Sequence, residues 1–357
     1  MKEFHEKMLL TIAGAINNFY PDNLDREIRK LSMRHWLRLQ FEIWANRLLR
    51  RFGKSTVVTL SNGNNYYSSH IGQFAQTYDS LCDEASREKY IELLAYRMLG
   101  FSKVKLKLNN DDFWTARSKV DLLKRPGKIP VDFRGGYLEF YDLSDAGYDV
   151  KLYFVRNGIF VDFILQQYNY RNLVCVNNGD VVIDAGGCWG DTALYFAAKG
   201  AAQVWVYEFI PSNIEILNKN LALNPRYKDS INLVDKAVWE TSSIGLSFAD
   251  RGPSSQVAAQ GVYDGATQTL SIDDLVKEKK LERVDFIKMD IEGAEMPALR
   301  GAAETIRRFK PKLAISAYHR EDDLIAIPAY IRSLNPDYQF YLDYYTIFGD
   351  EIVVYAI

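Results

Sequence analysis

A glycine-rich turn flanked by acids is the first place where the residue types suggest chemistry. An apolar run ends at Asp184, three glycines follow within the next six residues, and a helical pattern then begins. Glycines at a strand-to-helix turn let a nucleotide-like ligand lie against the backbone. The structural alternative is a tight turn with a helix-capping acid and no ligand. The residues predicted to border a nucleotide-type cofactor here are Asp184, Gly186, Gly187, Gly190, Asp191 and Thr192.

The choice of cofactor depends on charge and on a downstream acid. A dinucleotide fingerprint begins with glycine, whereas this turn has Ala185 in that position. The carboxylate of Asp184 would repel a pyrophosphate, but it suits S-adenosylmethionine, which carries a sulfonium and an ammonium and no phosphate. Glu208, 21 residues after Gly187, ends the next predicted strand, where its carboxylate can accept hydrogen bonds from both hydroxyls of a ribose. These residues favour S-adenosylmethionine over NAD.

A second group of acids follows another apolar run. Asp290 ends that run, and Glu292 and Glu295 lie in the turn and the first helical turn after it. Ligands of open α/β sheets bind beyond the carboxyl ends of the strands, so all three carboxylates are expected to face the cleft. The alternative is that these acids only stabilise the start of a helix, Glu295 above all.

His319 ends the next apolar run and is one of four histidines. Near Asp290 it would act as a general base, with a pKa raised by the acids, that removes the proton of an acceptor hydroxyl. Alternatively, Asp290, Glu292 and Glu295 would bind Mg²⁺, which acidifies the hydroxyl directly. The sequence leaves both mechanisms open. A third possibility is that His319 is a surface histidine without a function. The catalytic candidates are His319, Asp290 and Glu292.

These residues require a sheet whose strands end at one edge. From residue 180 onward strands alternate with helical stretches, which predicts a parallel sheet with right-handed crossovers. The last two strands form a hairpin, so one of them must be antiparallel to the rest. The predicted fold is therefore an α/β fold with a mostly parallel sheet. Its strands are predicted at 181–183, 204–207, 231–234, 284–289, 313–317, 339–342 and 351–356.

The chain divides into three predicted regions. Residues 1–125 are expected to be helical, and residues 126–171 form a small β segment with turns at 145–147 and 156–158. Residues 172–357 form the cofactor-binding domain. The length of 357 residues agrees with about two domains at roughly 150 residues each.

Two segments, one in the first region and one in the last, could contact other molecules. A helix is predicted over 28–52 and another over 83–99, each followed by a glycine that ends it. Residues 26–54 hold nine Lys/Arg and two Glu, a net charge of +7. This basic amphipathic helix could be a solvated face, a contact in a homo-oligomer, or a surface for membrane or anionic glycan. The loop over 252–265 is either a lid over the acceptor or a plain insertion.

Composition limits the partners and the location. Lys and Arg total 44, Asp and Glu total 46, and the net charge is −2, which excludes a global polyanion-binding charge and disfavours nucleic acid. The three cysteines form no C-x-x-C pair and suggest a reducing compartment. No run of 18 apolar residues exists, so no transmembrane segment is predicted, and the acids near residue 1 do not fit a signal peptide. The expected location is the cytoplasm.

Together, these motifs resemble the FkbM-type methyltransferases. The similar segments are 179–192, 288–295 and the pair Tyr318 and His319 after Pro311, within a resemblance that covers residues 172–357. It implies a Rossmann-like class I methyltransferase fold, S-adenosylmethionine as donor, and O-methylation of a sugar, glycan or secondary metabolite. By this resemblance Asp184, Gly186, Gly190 and Glu208 would line the cofactor site, and Asp235 would reach the adenine amino group.

Two other classes of protein remain as alternatives. One is an NAD-dependent oxidoreductase or epimerase on a Rossmann-like fold, which Ala185 and Asp184 disfavour. The other is a nucleotide-binding module without catalytic activity. Enzymes that methylate exocyclic amino groups of bases usually carry Asn/Asp-Pro-Pro-Tyr after the fourth strand. Because Asp290 is followed there by Ile291, Glu292 and Gly293, nucleobase N-methylation is disfavoured.

Overall fold

The computed structural model describes residues 1–18, 20, 23, 63–131, 136–250, 252, 256–258 and 264–357. The predicted helix over 28–52, the basic segment 26–54 and most of the predicted lid lie outside these ranges. The chain forms two compact units, one of residues 1–113 with 344–350 and one of residues 114–343 with 351–357. The three-region division stays a prediction. No helix within the described ranges is long and apolar enough to cross a bilayer.

Helices build the first unit. The predicted helix over 83–99 is confirmed as Glu84–Leu99, which Asp83 caps by accepting a 2.8 Å hydrogen bond from the backbone N–H of Ser86. Gly100, with φ of 80°, follows its last turn. The described helices of this unit are α1 (Lys2–Ile16), α2 (Gly63–Ser69), α3 (Ile71–Ser80) and α4 (Glu84–Leu99).

A small antiparallel sheet opens the second unit, after helix α5 (Asp111–Lys119). Its strands are β1 (Lys124–Val131), β2 (Gly136–Asp142) and β3 (Lys151–Phe154), in that order, which confirms the β segment over its first part. The predicted turn at 156–158 is wrong. A helical segment starts at Arg156 and continues as a π-helical turn, Ile159–Ile164, because four of its apolar residues are buried and a helix satisfies their backbone groups.

The main sheet of the second unit has seven strands in the order β12-β13-β11-β10-β4-β5-β6. All pairs from β11 to β6 are parallel, and β13 runs antiparallel to β11, as predicted. The side chains of β10 and β13 are all buried, which is typical of strands covered on both faces. The strands are β4 (Val181–Ala185), β5 (Gln203–Tyr207), β6 (Ile231–Val234), β10 (Phe286–Met289), β11 (Lys312–Ser316), β12 (Phe340–Tyr344) and β13 (Ile352–Ala356).

A second small sheet lies between β6 and β10 in the chain. Its strands are β7 (Gly245–Ala249), β8 (Gln256–Ala258) and β9 (Gly265–Gln268). Their order in the sheet is β8-β7-β9. Helices connect the strands of the main sheet. The helices are α6 (Asp191–Ala198), α7 (Pro211–Leu223), α8 (Ile272–Lys279), α9 (Glu295–Arg300), α10 (Ala303–Phe309) and α11 (Asp323–Leu334).

The strand order determines where a ligand can bind. Strands β4, β5, β10 and β11 are neighbours and parallel, so their carboxyl ends lie at one edge of the sheet. From β4 the chain continues outward to β5 and β6 on one side, and it later returns to β10 on the other side of β4, which makes this edge a topological switch point. The predicted acids and His319 follow the ends of these strands.

Candidate active site

The glycine turn after β4 brings two strand ends into close contact. Gly186 has φ of 89°, and a Cβ there would lie 1.9 Å from the carbonyl oxygen of Asp290, so only glycine fits. The N–H groups of Gly186 and Gly187 both donate to the carbonyl oxygen of Tyr207, at 3.2 and 2.9 Å. The turn is thereby held against β5 and β10, the two strands that flank β4.

Asp184 lies beneath this turn and does not reach a cavity. It is fully buried, accepts a 2.6 Å hydrogen bond from Thr192 Oγ1, and lies 3.1 Å from Lys288 Nζ. Burial opposes the charge on Lys288, but the carboxylates of Asp184 and Asp290 outweigh it and raise the pKa of Lys288 to about 12. The lysine also donates to the carbonyl oxygens of Ala185 and Gly186. The assignment of Asp184 as a direct contact of a cationic cofactor stays a prediction, and the cation beside it is Lys288.

Glu208 follows β5 and lines a cavity. Its Oε1 accepts hydrogen bonds from the backbone N–H groups of Phe209 and Ile210, both at 2.8 Å, and Oε2 accepts a longer one of 3.4 Å from Asn213 Nδ2. The backbone N–H of Cys188 is a further donor to this carboxyl group. The side chain is oriented by its neighbours and keeps one oxygen for a ligand. Burial raises the pKa of Glu208 to about 7.

The cavity beside Glu208, named here the Glu208 cavity, contains about 590 Å³ of space not filled by protein atoms. Asp235, predicted to contact adenine, is exposed and does not line it. The wall at the end of β6 is formed instead by the next three residues, Lys236, Ala237 and Val238.

A second cavity, named here the Asp191 cavity, contains about 770 Å³ and shares part of its wall with the first. Its lining includes Asp191 and Thr192 at the start of α6, together with residues of the π-helical segment. The two cavities are therefore adjacent, at the carboxyl edge of the sheet. The residues common to their walls are Gly186, Cys188, Asp290 and Glu292.

Two buried carboxyl groups face the Asp191 cavity. Asp162, from the π-helical segment, and Asp191 are 5% and 6% exposed, and both line the wall. Burial and the neighbouring Asp191 raise the pKa of Asp162 well above its usual range, and burial also raises the pKa of Asp191. Gln167 Nε2 donates to Asp162 at 2.8 Å, whereas Gln167 Oε1 and Asp191 Oδ1 have no hydrogen-bond partner among the residues that the structure describes. These unsatisfied oxygens suit a ligand with several N–H donors.

Asp290 stands at the junction of the two cavities. Its Oδ2 accepts a 3.2 Å hydrogen bond from the hydroxyl of Tyr168, and its Oδ1 accepts a 3.4 Å hydrogen bond from the hydroxyl of Tyr318. Glu292 also lines both cavities and has φ of 54°, a left-handed conformation that is uncommon outside glycine. Asp290 and Glu292, the two predicted carboxylates, therefore both lie at the junction of the two cavities, where two parts of a ligand would meet.

His319 lies behind Asp290 and lines neither cavity. Its Nε2 is 3.5 Å from Asp290 Oδ1 and 3.8 Å from Glu292 Oε2, and its Nδ1 is 3.0 Å from Glu295 Oε1. Burial opposes the charge, but Glu295, Asp290 and Glu292 outweigh it and raise the pKa of His319 to about 9. The predicted proximity of His319 to the acids is present. Its role as a base that touches the acceptor stays a prediction.

Several residues of this site were not singled out from the sequence. Lys288 lies in a predicted apolar strand, and no role is predicted for it from the sequence. A lysine in a fully buried strand indicates a buried partner of opposite charge. Asp162, Gln167 and Tyr168 line the site because the segment before β4 folds back on α6. No local sequence pattern predicts this packing.

The architecture of the second unit is that of the class I methyltransferase fold. The sheet order, the antiparallel β13, the glycine turn after β4 and the acid after β5 are the elements of that class. Residues 174–340 match the family described as the methyltransferase FkbM domain. This match confirms the resemblance to the FkbM-type methyltransferases that is seen in the sequence.

One solved structure with a similar fold is that of another FkbM methyltransferase. A methyltransferase FkbM from Methylobacillus flagellatus KT is similar over 89% of this chain and 70% of that chain, with 22% identity and a TM-score of 0.54. Fibrillarin from Aeropyrum pernix, solved with bound S-adenosyl-L-methionine, is similar over 65% of this chain and 98% of that chain, with 12% identity and a TM-score of 0.36. No curated protein sequence matches the chain significantly.

Proposed function

We propose that the protein transfers a methyl group from S-adenosylmethionine to a hydroxyl of a sugar, a glycan or a secondary metabolite. The observation that carries this proposal is the pair of neighbouring cavities in the part of the chain that matches the methyltransferase FkbM domain, with Glu208 in the wall of one and Asp162 and Asp191 in the wall of the other. This arrangement offers one acid to a ribose and a separate acidic pocket to the other polar end of the cofactor.

The residues fit both polar ends of S-adenosylmethionine. The ribose would bind at Glu208, whose Oε2 is available to accept from hydroxyl groups. The ammonium of the methionine part would bind at Asp191 and Gln167, beside Asp162, because an ammonium supplies three N–H donors and a positive charge to the two oxygens of Asp191 and Gln167 that have no partner among the described residues. NAD fits poorly, since its pyrophosphate would lie among the acids that line the Asp191 cavity.

The cofactor supplies a methyl group bound to a positively charged sulfur. The chain must orient the acceptor oxygen in line with that bond and receive the proton that the hydroxyl loses as the carbon–oxygen bond forms. Asp290 and Glu292 are the carboxylates at the junction of the cavities, so we assign them to the acceptor hydroxyl. His319 orients Asp290 from behind. A cytoplasmic location and a homo-oligomer through residues 26–54 remain predictions.

The proposal is tested by calorimetric titration with S-adenosylmethionine and with NAD, followed by transfer of a labelled methyl group to polyhydroxylated acceptors. Binding of the methyl donor and labelled product support it. Binding of NAD alone contradicts it, and so does methylation restricted to amino groups.

We expect Glu208→Gln to weaken S-adenosylmethionine binding by about 10–150-fold, since charge-assisted hydrogen bonds contribute about 1.5–3 kcal/mol. In the intact protein only the ionised carboxylate accepts from both hydroxyls, and its pKa is about 7. The dissociation constant should therefore fall by about tenfold between pH 6 and pH 8. In Glu208→Gln this pH dependence should disappear, and its persistence would place the titrating group elsewhere.

We expect Asp191→Asn to weaken binding of S-adenosylhomocysteine by about 10–150-fold, because a charge-assisted hydrogen bond to the ammonium is lost. Methylthioadenosine, which has the adenosine part but no ammonium, serves as the matched ligand and should bind both proteins equally. Equal losses for the two ligands would show that Asp191 acts on the fold of the turn and not on the ammonium.

A further inference from the structure

We propose that Asp290, Glu295 and His319 bind a divalent first-row transition-metal ion. This inference rests on the proposed function, because the ion would hold the carboxylate that contacts the acceptor. Each of the three residues offers one ligand atom, and these atoms all lie within 4.8 Å of one another. They come from the end of β10, the start of α9 and the segment after β11, so three separate elements converge on one point.

The spacing of the ligand atoms suits a metal ion. Metal–ligand bonds to nitrogen and oxygen are roughly 2.1 Å long, so two ligands of one ion are at most roughly 4.2 Å apart. A side-chain movement of about half an ångström would bring the widest pair within that limit. Asp290 and His319, which follow the ends of β10 and β11, already satisfy this limit, because His319 Nε2 lies 3.5 Å from Asp290 Oδ1.

Unsatisfied buried atoms are an independent sign of a ligand. Glu295 is 1% exposed, and its Oε2 has no hydrogen-bond partner. The side chain of His319 is 8% exposed, and neither ring nitrogen makes a hydrogen bond of good geometry, although Nδ1 is 3.0 Å from Glu295 Oε1. Such buried atoms are costly unless something binds them, and one ion would bind the carboxylate oxygen and one of the two ring nitrogens.

The charge of the site also calls for a cation. Asp290, Glu292 and Glu295 surround His319, so even a charged imidazole would leave a net negative charge. Lys288 is already paired with Asp184, and Arg320 donates through Nε to the carbonyl oxygen of Gly293. A divalent ion supplies the missing positive charge.

The donor set selects the kind of ion. Two carboxylates and one imidazole fit ions such as Mn²⁺, Fe²⁺ or Zn²⁺, whereas Mg²⁺ prefers oxygen ligands alone. The Mg²⁺ set predicted from the sequence is therefore changed in two ways: His319 replaces Glu292 as the third ligand, and a transition metal replaces Mg²⁺. Glu292 faces the cavities and stays with the acceptor.

The experiment is calorimetry and electron paramagnetic resonance of the full chain with Mn²⁺, after dialysis against EDTA. We expect one ion per chain, with the affinity lowered at least about 10–100-fold in His319→Ala and in Asp290→Asn. Asp322→Asn is the matched control, because Asp322 is exposed beside the same edge and its side chain makes no capping hydrogen bond. It should bind Mn²⁺ as the intact chain does.

Circular dichroism of each variant establishes that it is folded, and Asp290→Asn keeps the shape of the side chain. No Mn²⁺ or Zn²⁺ binding by the intact chain overturns the proposal, and so does binding that survives both substitutions. Titration with S-adenosylmethionine is measured separately on the same samples. A chain that binds the methyl donor but no metal contradicts only the metal site, whereas a chain that binds metal but no methyl donor contradicts the proposed function.

Discussion

Asp290→Asn is expected to lower kcat for methyl transfer by about 10²–10⁴-fold, the usual contribution of a group that handles a proton in the transition state. The reason is its position: Asp290 lines both cavities, and its carboxylate is held by the hydroxyls of Tyr168 and Tyr318 with His319 behind it. The amide keeps the size of the side chain but carries no charge and cannot take a proton.

The measurement is steady-state kinetics with calorimetry of the cofactor. Because the effect belongs to the transition state, kcat should fall far more than the affinity for S-adenosylmethionine. His319→Ala should also lower kcat. It should not weaken cofactor binding, because His319 lines neither cavity. Asp322→Asn should retain full activity. An Asp290→Asn enzyme that turns over at the rate of the intact enzyme would mean that the acceptor proton leaves by another route.

Lys288→Met is expected to lower the free energy of unfolding by about 3–5 kcal/mol, the usual cost of removing one partner of a buried ion pair. Lys288 is 1% exposed, its Nζ lies 3.1 Å from Asp184, and it donates to two carbonyl oxygens of the glycine turn. Methionine fills the same volume but leaves the carboxylate of Asp184 buried without its cation.

The double variant Asp184→Leu with Lys288→Met separates the pair from its surroundings. Replacing both partners by apolar residues is often neutral or stabilising, so the double variant should be more stable than Lys288→Met alone. Urea unfolding of the three proteins measures this. If Lys288→Met unfolds at the same urea concentration as the intact protein, the buried pair does not stabilise the fold.

Much of the sheet could be predicted from local patterns. The parallel strands and the antiparallel β13 follow from apolar runs of strand length, from the helices between them and from a short final hairpin, all of which are local in sequence. Gly186 and Glu208 were predicted because their residue types are constrained by the backbone and by the ligand at fixed distances from a strand end. The helical segment over Arg156–Ile164 was missed because a short apolar run has no period that separates strand from helix.

The sequence by itself determined which strand ends carry acids, and it predicted a ligand site at one edge of the sheet. Only the tertiary structure decided what each acid faces. Asp184 points at Lys288, 104 residues away, Asp191 meets Asp162 from the segment before the sheet, and His319 lies behind Asp290. The physical reason is that spacing along the chain places a residue on an element, whereas the direction and the charge partner of its side chain depend on the register of neighbouring strands and on the packing around them.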